Sequence, residues 1–153
     1  MRTTLTRALV ATAGLGLAVV APVATATSAQ ALPAVMISTV FYDSPGADRG
    51  GNASLNAEYV VVKNTTRSAR SLTGWTLRDK VGHTYRFPAF TLKAGASVTI
   101  RTGKGTPTQK NRYFGSGWYV WNNTGDTAIL KNASGKTVDT CTFKGSRKGY
   151  TSC

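Results

Sequence analysis

"GSGWYVWNNTGD", residues Gly115–Asp126, sets two tryptophans and a tyrosine within four positions and follows them with a run of turn-forming residues. In a β-strand alternate side chains point to opposite faces, so Trp118 and Val120 would face one way and Tyr119 and Trp121 the other. Such an arrangement cannot make one flat sugar-stacking platform. One pair is expected in a core, with Trp121 as the buried residue. Asn122–Asp126 then reads as a turn that returns the chain along Thr127–Lys131 as a hairpin partner. The stretch predicts a strand pair of an all-β domain.

Short segments rich in β-branched and aromatic residues recur on both sides, separated by Gly, Pro, Asn and Asp clusters. The expected strands are Val35–Tyr42, Glu58–Lys63, Gly74–Arg78, Thr84–Phe87, Ala96–Thr102, Trp118–Trp121, Thr127–Lys131 and Val138–Phe143. About eight short, mainly antiparallel strands imply a β-sandwich. Period-two patterning puts Val35, Ile37, Thr39 and Phe41 on one face, and Ala96, Val98 and Ile100 on another. Turn chemistry agrees at Ser44-Pro45-Gly46, Lys93-Ala94-Gly95 and Ala133-Ser134-Gly135-Lys136. Two longer loops, Asp43–Ala57 and Gly103–Tyr113, are where function is expected to sit.

The chain has 153 residues and opens with Met1, Arg2 and Arg7, an apolar stretch from Ala8 to Val23, and Ala29-Gln30-Ala31. A basic start, a short apolar run and a small-residue site are the order of a cleaved secretory signal. Residues 1–31 are therefore expected to be the signal and 32–153 one extracellular domain. No second hydrophobic stretch has the length of a membrane span. Of 19 Lys and Arg, Arg2 and Arg7 leave with the signal, so 17 basic side chains face 6 acids, a net charge of +11. Two cysteines in an exported chain, Cys141 and Cys153, imply a disulfide that clips the C-terminal tail.

Four segments in order, the Glu58 strand ending in Lys63-Asn64, Gly74-Trp75-Thr76-Leu77, Phe90-Thr91-Leu92-Lys93-Ala94-Gly95 and Trp121-Asn122-Asn123-Thr124-Gly125-Asp126, carry a family likeness. From about Val35 to Phe143 the chain resembles the lamin tail domain family, in its secreted bacterial form. The resemblance implies an immunoglobulin-like sandwich without catalytic residues, used in nuclear lamins as an interaction module that binds DNA and chromatin proteins among other roles. Bacterial copies often accompany exported hydrolases, and no companion enzyme domain is expected here. Fold by itself does not assign function.

Residue chemistry narrows the choice. His83 is the only histidine and falls in the Lys80–His83 turn, where it is expected to be solvated rather than to act as a base beside a nucleophile. Gly103-Lys104-Gly105-Thr106 fails the spacing of a phosphate loop, and no helix is expected to follow it. Asp43, Asp48 and Glu58, with Asn52 and Asn56 between them, offer hard oxygen ligands for calcium, although turn-making and local ion pairing explain them as well. Two basic clusters remain. Arg101, Lys104, Lys110 and Arg112 surround the second long loop, and Lys144, Arg147 and Lys148 lie in the tail. Tyr113, Phe114 and Tyr150 stand near them as stacking groups.

The leading expectation is an exported, non-catalytic module that binds an anionic polymer, DNA or a cell-envelope polymer, through these basic loops. A carbohydrate-binding module using exposed aromatics is the alternative. A metal-assisted hydrolase built on Asp43, Asp48 and Glu58 has the least support.

Overall fold

The computed structural model describes residues 31–153, so the expected signal lies outside the described residues apart from Ala31. Its first strand, β1 (Val35–Phe41), breaks its own alternation. Val35 and Ile37 point into the core, then Val40 and Tyr42 do. Ile37 pairs with Val62 and Thr39 with Val61, which leaves Ser38 as a bulge. One extra residue turns every later side chain to the other face. The expectation that Thr39 and Phe41 share the buried face of Val35 is thereby corrected: Phe41 is turned outward.

One sheet has the strand order β11 (Tyr150–Ser152), β1, β2 (Tyr59–Asn64), β7 (Ser97–Arg101), β8 (Asn111–Tyr113). Only the β7–β8 pair is parallel. The second sheet runs β10 (Thr137–Lys144), β9 (Gly125–Lys131), β4 (Thr76–Arg78), β5 (Thr84–Arg86), and a small ribbon joins β3 (Arg70–Ser71) to β6 (Thr91–Leu92). The inner faces supply one core. Val35, Ile37, Val60, Val62, Val98 and Ile100 come from the first sheet, and Leu77, Tyr85, Ala128, Leu130 and Phe143 from the second. Trp121, with 1% of its surface exposed, is among the largest fully buried side chains. This is the expected all-β, immunoglobulin-like sandwich.

Expected strands 127–131 and 138–143 form the β9–β10 hairpin, closed by the Asn132–Lys136 turn with Gly135 at φ +82°. Trp118–Trp121 is not a strand. Val120 and Trp121, neighbours in sequence, are both buried, which strict alternation forbids. Their backbone amides donate to a side chain instead: Val120 N–H reaches Glu58 Oε1 at 2.8 Å and Trp121 N–H at 3.3 Å. The Asn122–Asp126 turn is braced by its own side chains. Asn122 Oδ1 accepts from Thr124, and Asp126 accepts from the amides of Asn122 and Thr127.

The elements missed from sequence are short. Strands β3, β6, β8 and β11 have two or three residues each, and β8 lies inside the expected Gly103–Tyr113 loop. Helix α1 (Asn52–Ala57) occupies part of the first long loop and buries Leu55. Cys141 and Cys153 are joined as expected. Because Cys141 lies on β10 and Cys153 follows β11, the disulfide ties the edge of one sheet to the edge of the other. A closed loop of this length is worth about 3 kcal/mol.

Candidate functional site

The bulge in β1 has a consequence on the outer face of the five-stranded sheet. Phe41 lies beside Tyr150 on one side and Tyr59 on the other, Tyr59 lies beside Arg101, and Arg101 beside Tyr113. The result is a row that crosses all five strands. Phe41 and Tyr59 have ring centroids 5.2 Å apart at 16°, and Phe41 and Tyr150 are 5.7 Å apart at 7°. Coplanar rings lying side by side need more room than that, so the rings overlap like shingles. The Arg101 guanidinium closes one end, 5.4 Å from the Tyr59 ring. Tyr150, 42% exposed on the edge strand, closes the other.

Beyond Tyr150 an open cleft of about 480 Å³ is lined by Tyr42, Lys144, Ser146 and Lys148. Its floor is held from several sides. Tyr42 Oη accepts from the Ser146 amide and bonds Ser146 Oγ, both at 2.9 Å, while the Tyr42 and Asp43 amides donate to the Gly149 carbonyl. The Cys153 amide donates to the Ser38 carbonyl. Gly149 has φ +68°, and a Cβ there would meet the Asp43 carbonyl oxygen at 2.9 Å. Only glycine fits that turn.

The seven basic residues expected to bind a polyanion separate into different roles. Lys144, Arg147 and Lys148 are exposed in the tail. Lys104 and Lys110 are exposed on the second long loop, whose backbone is clamped to α1 by Asn52 and Asn56 through the Lys104 carbonyl and amide. Arg101 is committed to Asn111 and to the Asn56 carbonyl as well as to Tyr59. Arg112 is buried, with its guanidinium 4.3 Å from the Phe90 ring centroid. Asn111 and Tyr113 point out from β8, so Arg112 must point in, and it is withdrawn from any polymer contact. Burial pushes the nearby Tyr85 hydroxyl pKa up, and Arg112 acts against that shift. The two basic clusters do not merge. The chain enters β8 from Lys110 and β11 from the lysine tail, and these strands form opposite edges of the sheet, about 19 Å apart at ordinary strand spacing.

The expected acidic ligands also part company. Asp43 and Asp48 share the Asn123 side-chain amide, at 3.1 and 3.0 Å. Glu58 turns inward, fully buried, and its Oε1 accepts from Thr102 Oγ1 at 2.6 Å as well as from the two amides of the tryptophan segment. Its Oε2 has no hydrogen-bond partner among the described residues. Desolvation raises its pKa to about 7, against the lowering effect of the three hydrogen bonds, with the Asp48 charge adding to the rise. Among the described residues no three His, Cys, Asp or Glu side chains gather as a metal centre. The calcium set of Asp43, Asp48 and Glu58 is therefore not assembled, because Glu58 is a structural acceptor in the core.

His83 is 55% exposed but is not simply solvated: its Nδ1 lies 2.6 Å from Oδ2 of the fully buried Asp79. Asp79 Oδ1 also accepts the Gly82 and His83 amides, which makes this carboxylate the organiser of the turn. Sequence reading missed that role, although an Asp three and four residues before the turn amides is its signal. Among the described residues the His83 ring makes no hydrogen bond to a hydroxyl or thiol.

Trp118, 59% exposed, rests on Gly50 and meets Tyr119 edge-on at 75°, so these two rings make no flat platform. No helix among the described residues is long and apolar enough to cross a membrane. No curated protein matches the chain. The family model of the lamin tail domain matches residues 28–145, a span that takes in every strand but β11, the Glu58 anchor and the Asn122–Asp126 turn. On that match and this architecture, the chain belongs to the lamin tail domain family, an immunoglobulin-like and generally non-enzymatic class of modules.

Proposed function

We propose that the protein is an exported, non-catalytic module that binds anionic polymers, such as DNA or a charged cell-envelope polymer, through its exposed lysines and arginines. One observation carries this reading. Among the described residues no Lys or Arg side chain lies within 4.0 Å of a carboxylate, and the one ion pair is that of His83 with Asp79. Three of the six acids, Glu58, Asp79 and Asp126, are buried. The positive charge is thus left to solvent and counterions, and a polymer that displaces those counterions gains their release. Export is supported by the basic, apolar and small-residue order of the N-terminal sequence and by a disulfide compatible with an oxidising compartment.

The test is retention of the protein on immobilised DNA, anionic envelope polymer and neutral polysaccharide across a salt series. Affinity for the two anionic polymers is expected to fall steadily as salt rises. Binding that ignores salt, or that is confined to the neutral polysaccharide, would contradict the reading.

A further inference from the structure

We infer that the Tyr150 end of the ring array, with the Lys144–Lys148 cleft beside it, is a binding site for single-stranded nucleic acid: an unpaired base stacks on Tyr150 and its phosphates lie along the lysines. The inference rests on the polyanion reading and gives it a place and a ligand class.

Three features of the edge point to a planar, charged ligand. The first is the array itself. Tyr59 is covered by Arg101 and Phe41 lies between its two neighbours, so of the three stacked rings Tyr150 alone has a side that faces away from the stack. Among the described residues β11 is the edge of the sheet, with no strand paired beyond it. A base placed there continues a stack already three rings long. The second is charge. Lys144 and Lys148 line the cleft, Arg147 is exposed between them in sequence, and none has a carboxylate partner among the described residues. The adjacent acid, Asp43, has its carboxylate engaged by the Asn123 amide. The third is rigidity. The disulfide, the Ser38 carbonyl and the Tyr42–Ser146–Gly149 bonds hold the tail in place, so binding has little chain to order.

The same geometry discriminates between polyanions. In a duplex the base faces are already stacked on one another, so a duplex offers the lysines its phosphates and offers Tyr150 nothing. An inorganic polyphosphate chain likewise has charge without a ring. A neutral sugar chain favours a broad, flat aromatic floor, and shingled rings do not provide one. An unpaired nucleotide matches both halves of the site.

Fluorescence anisotropy with a labelled oligothymidylate, a duplex without unpaired bases and inorganic polyphosphate as competitor tests this. The oligothymidylate is expected to bind more tightly than the duplex and than polyphosphate of equal charge. Tyr150→Leu should weaken the oligothymidylate about fivefold or more, the low end of one lost base–aromatic stack, and leave polyphosphate unaltered. Tyr150→Trp should retain or improve binding, which separates stacking from damage to the edge strand. Lys144→Ala with Lys148→Ala should weaken both ligands. If Tyr150→Leu leaves the oligothymidylate unchanged, weakens polyphosphate equally, or if duplex binds as well as single strand, the site inference fails while polyanion binding stands. Absence of salt-dependent binding to all three ligands would overturn the polyanion reading itself.

Discussion

Two aromatic clusters of this domain have opposite fates. Trp118–Trp121 is contiguous in sequence and looks like a ligand site, yet Val120 and Trp121 are locked into the core by their amides on Glu58. Phe41, Tyr59 and Tyr150 are far apart in sequence, yet strand pairing sets them side by side on the solvent face of one sheet. Density of aromatic residues along a chain thus says little about use. What separates the two clusters is whether the backbone beneath them is satisfied by a buried side chain or by a strand ladder. In the ladder-free segment the two amides that turn inward to Glu58 take Val120 and Trp121 into the core, whereas the Trp118 amide finds its acceptor on Ser116 at the surface and its ring stays exposed.

Removing Trp121 should have the largest effect. Trp121→Ala is expected to cost about 3–5 kcal/mol of stability in denaturant unfolding, as a large core side chain does. A loss below about 1 kcal/mol would place the knot outside the core and erase the contrast with the surface row.

Glu58 sharpens the same contrast through pH. Its pKa in the folded protein is about 7, above the unfolded value of 4.5, so the folded state holds the extra proton between those pH values. Stability contributed by this group is greatest below about pH 4.5, falls as pH rises toward about 7, and is level beyond. The span corresponds to about 3 kcal/mol. Glu58→Gln keeps an acceptor for the amides of Val120 and Trp121 and cannot ionise, so its stability should lack this fall. Parallel pH–stability curves for the two proteins would show that Glu58 ionises without cost.

Reduction of Cys141–Cys153 should lower stability by about 3 kcal/mol and also weaken polymer binding, because β11 carries Tyr150 and is tied to the second sheet by that bond. Loss of stability with binding intact in the folded fraction would remove the tail from the binding surface. The smallest expected effect on stability is that of Lys144→Ala with Lys148→Ala, within about 0.5 kcal/mol. The same pair should reduce the slope of log affinity against log salt by about one to two.

Much of the fold was legible. Alternation and turn chemistry identify seven of the eleven strands among the described residues within a few residues of their positions, and the two cysteines pair as their number and context implied. What escaped notice was decided by contacts distant in sequence. The bulge at Ser38 follows from how β1 registers on β2, and it reverses Phe41. The sequence offers Glu58 as a hard oxygen ligand beside Asp43 and Asp48, and only the ladder-free tryptophan segment gives it a reason to be buried. Arg112 was counted as surface charge for a like reason, since a three-residue strand gives no alternation to show it turned inward. The tail lysines and Tyr150 were visible as a group, but their place at the end of a ring array depends on β11 joining the sheet.

The central claim is that the buried knot holds the domain together while the Tyr150 edge binds. The most direct measurement pairs a thermal melt with an oligothymidylate titration for Trp121→Phe and Tyr150→Leu. Trp121→Phe is predicted to lower the melting temperature and keep the affinity of the folded protein, and Tyr150→Leu to keep the melting temperature and lose affinity. Affinity that follows melting temperature in both variants, or that fails in Trp121→Phe alone, would contradict it.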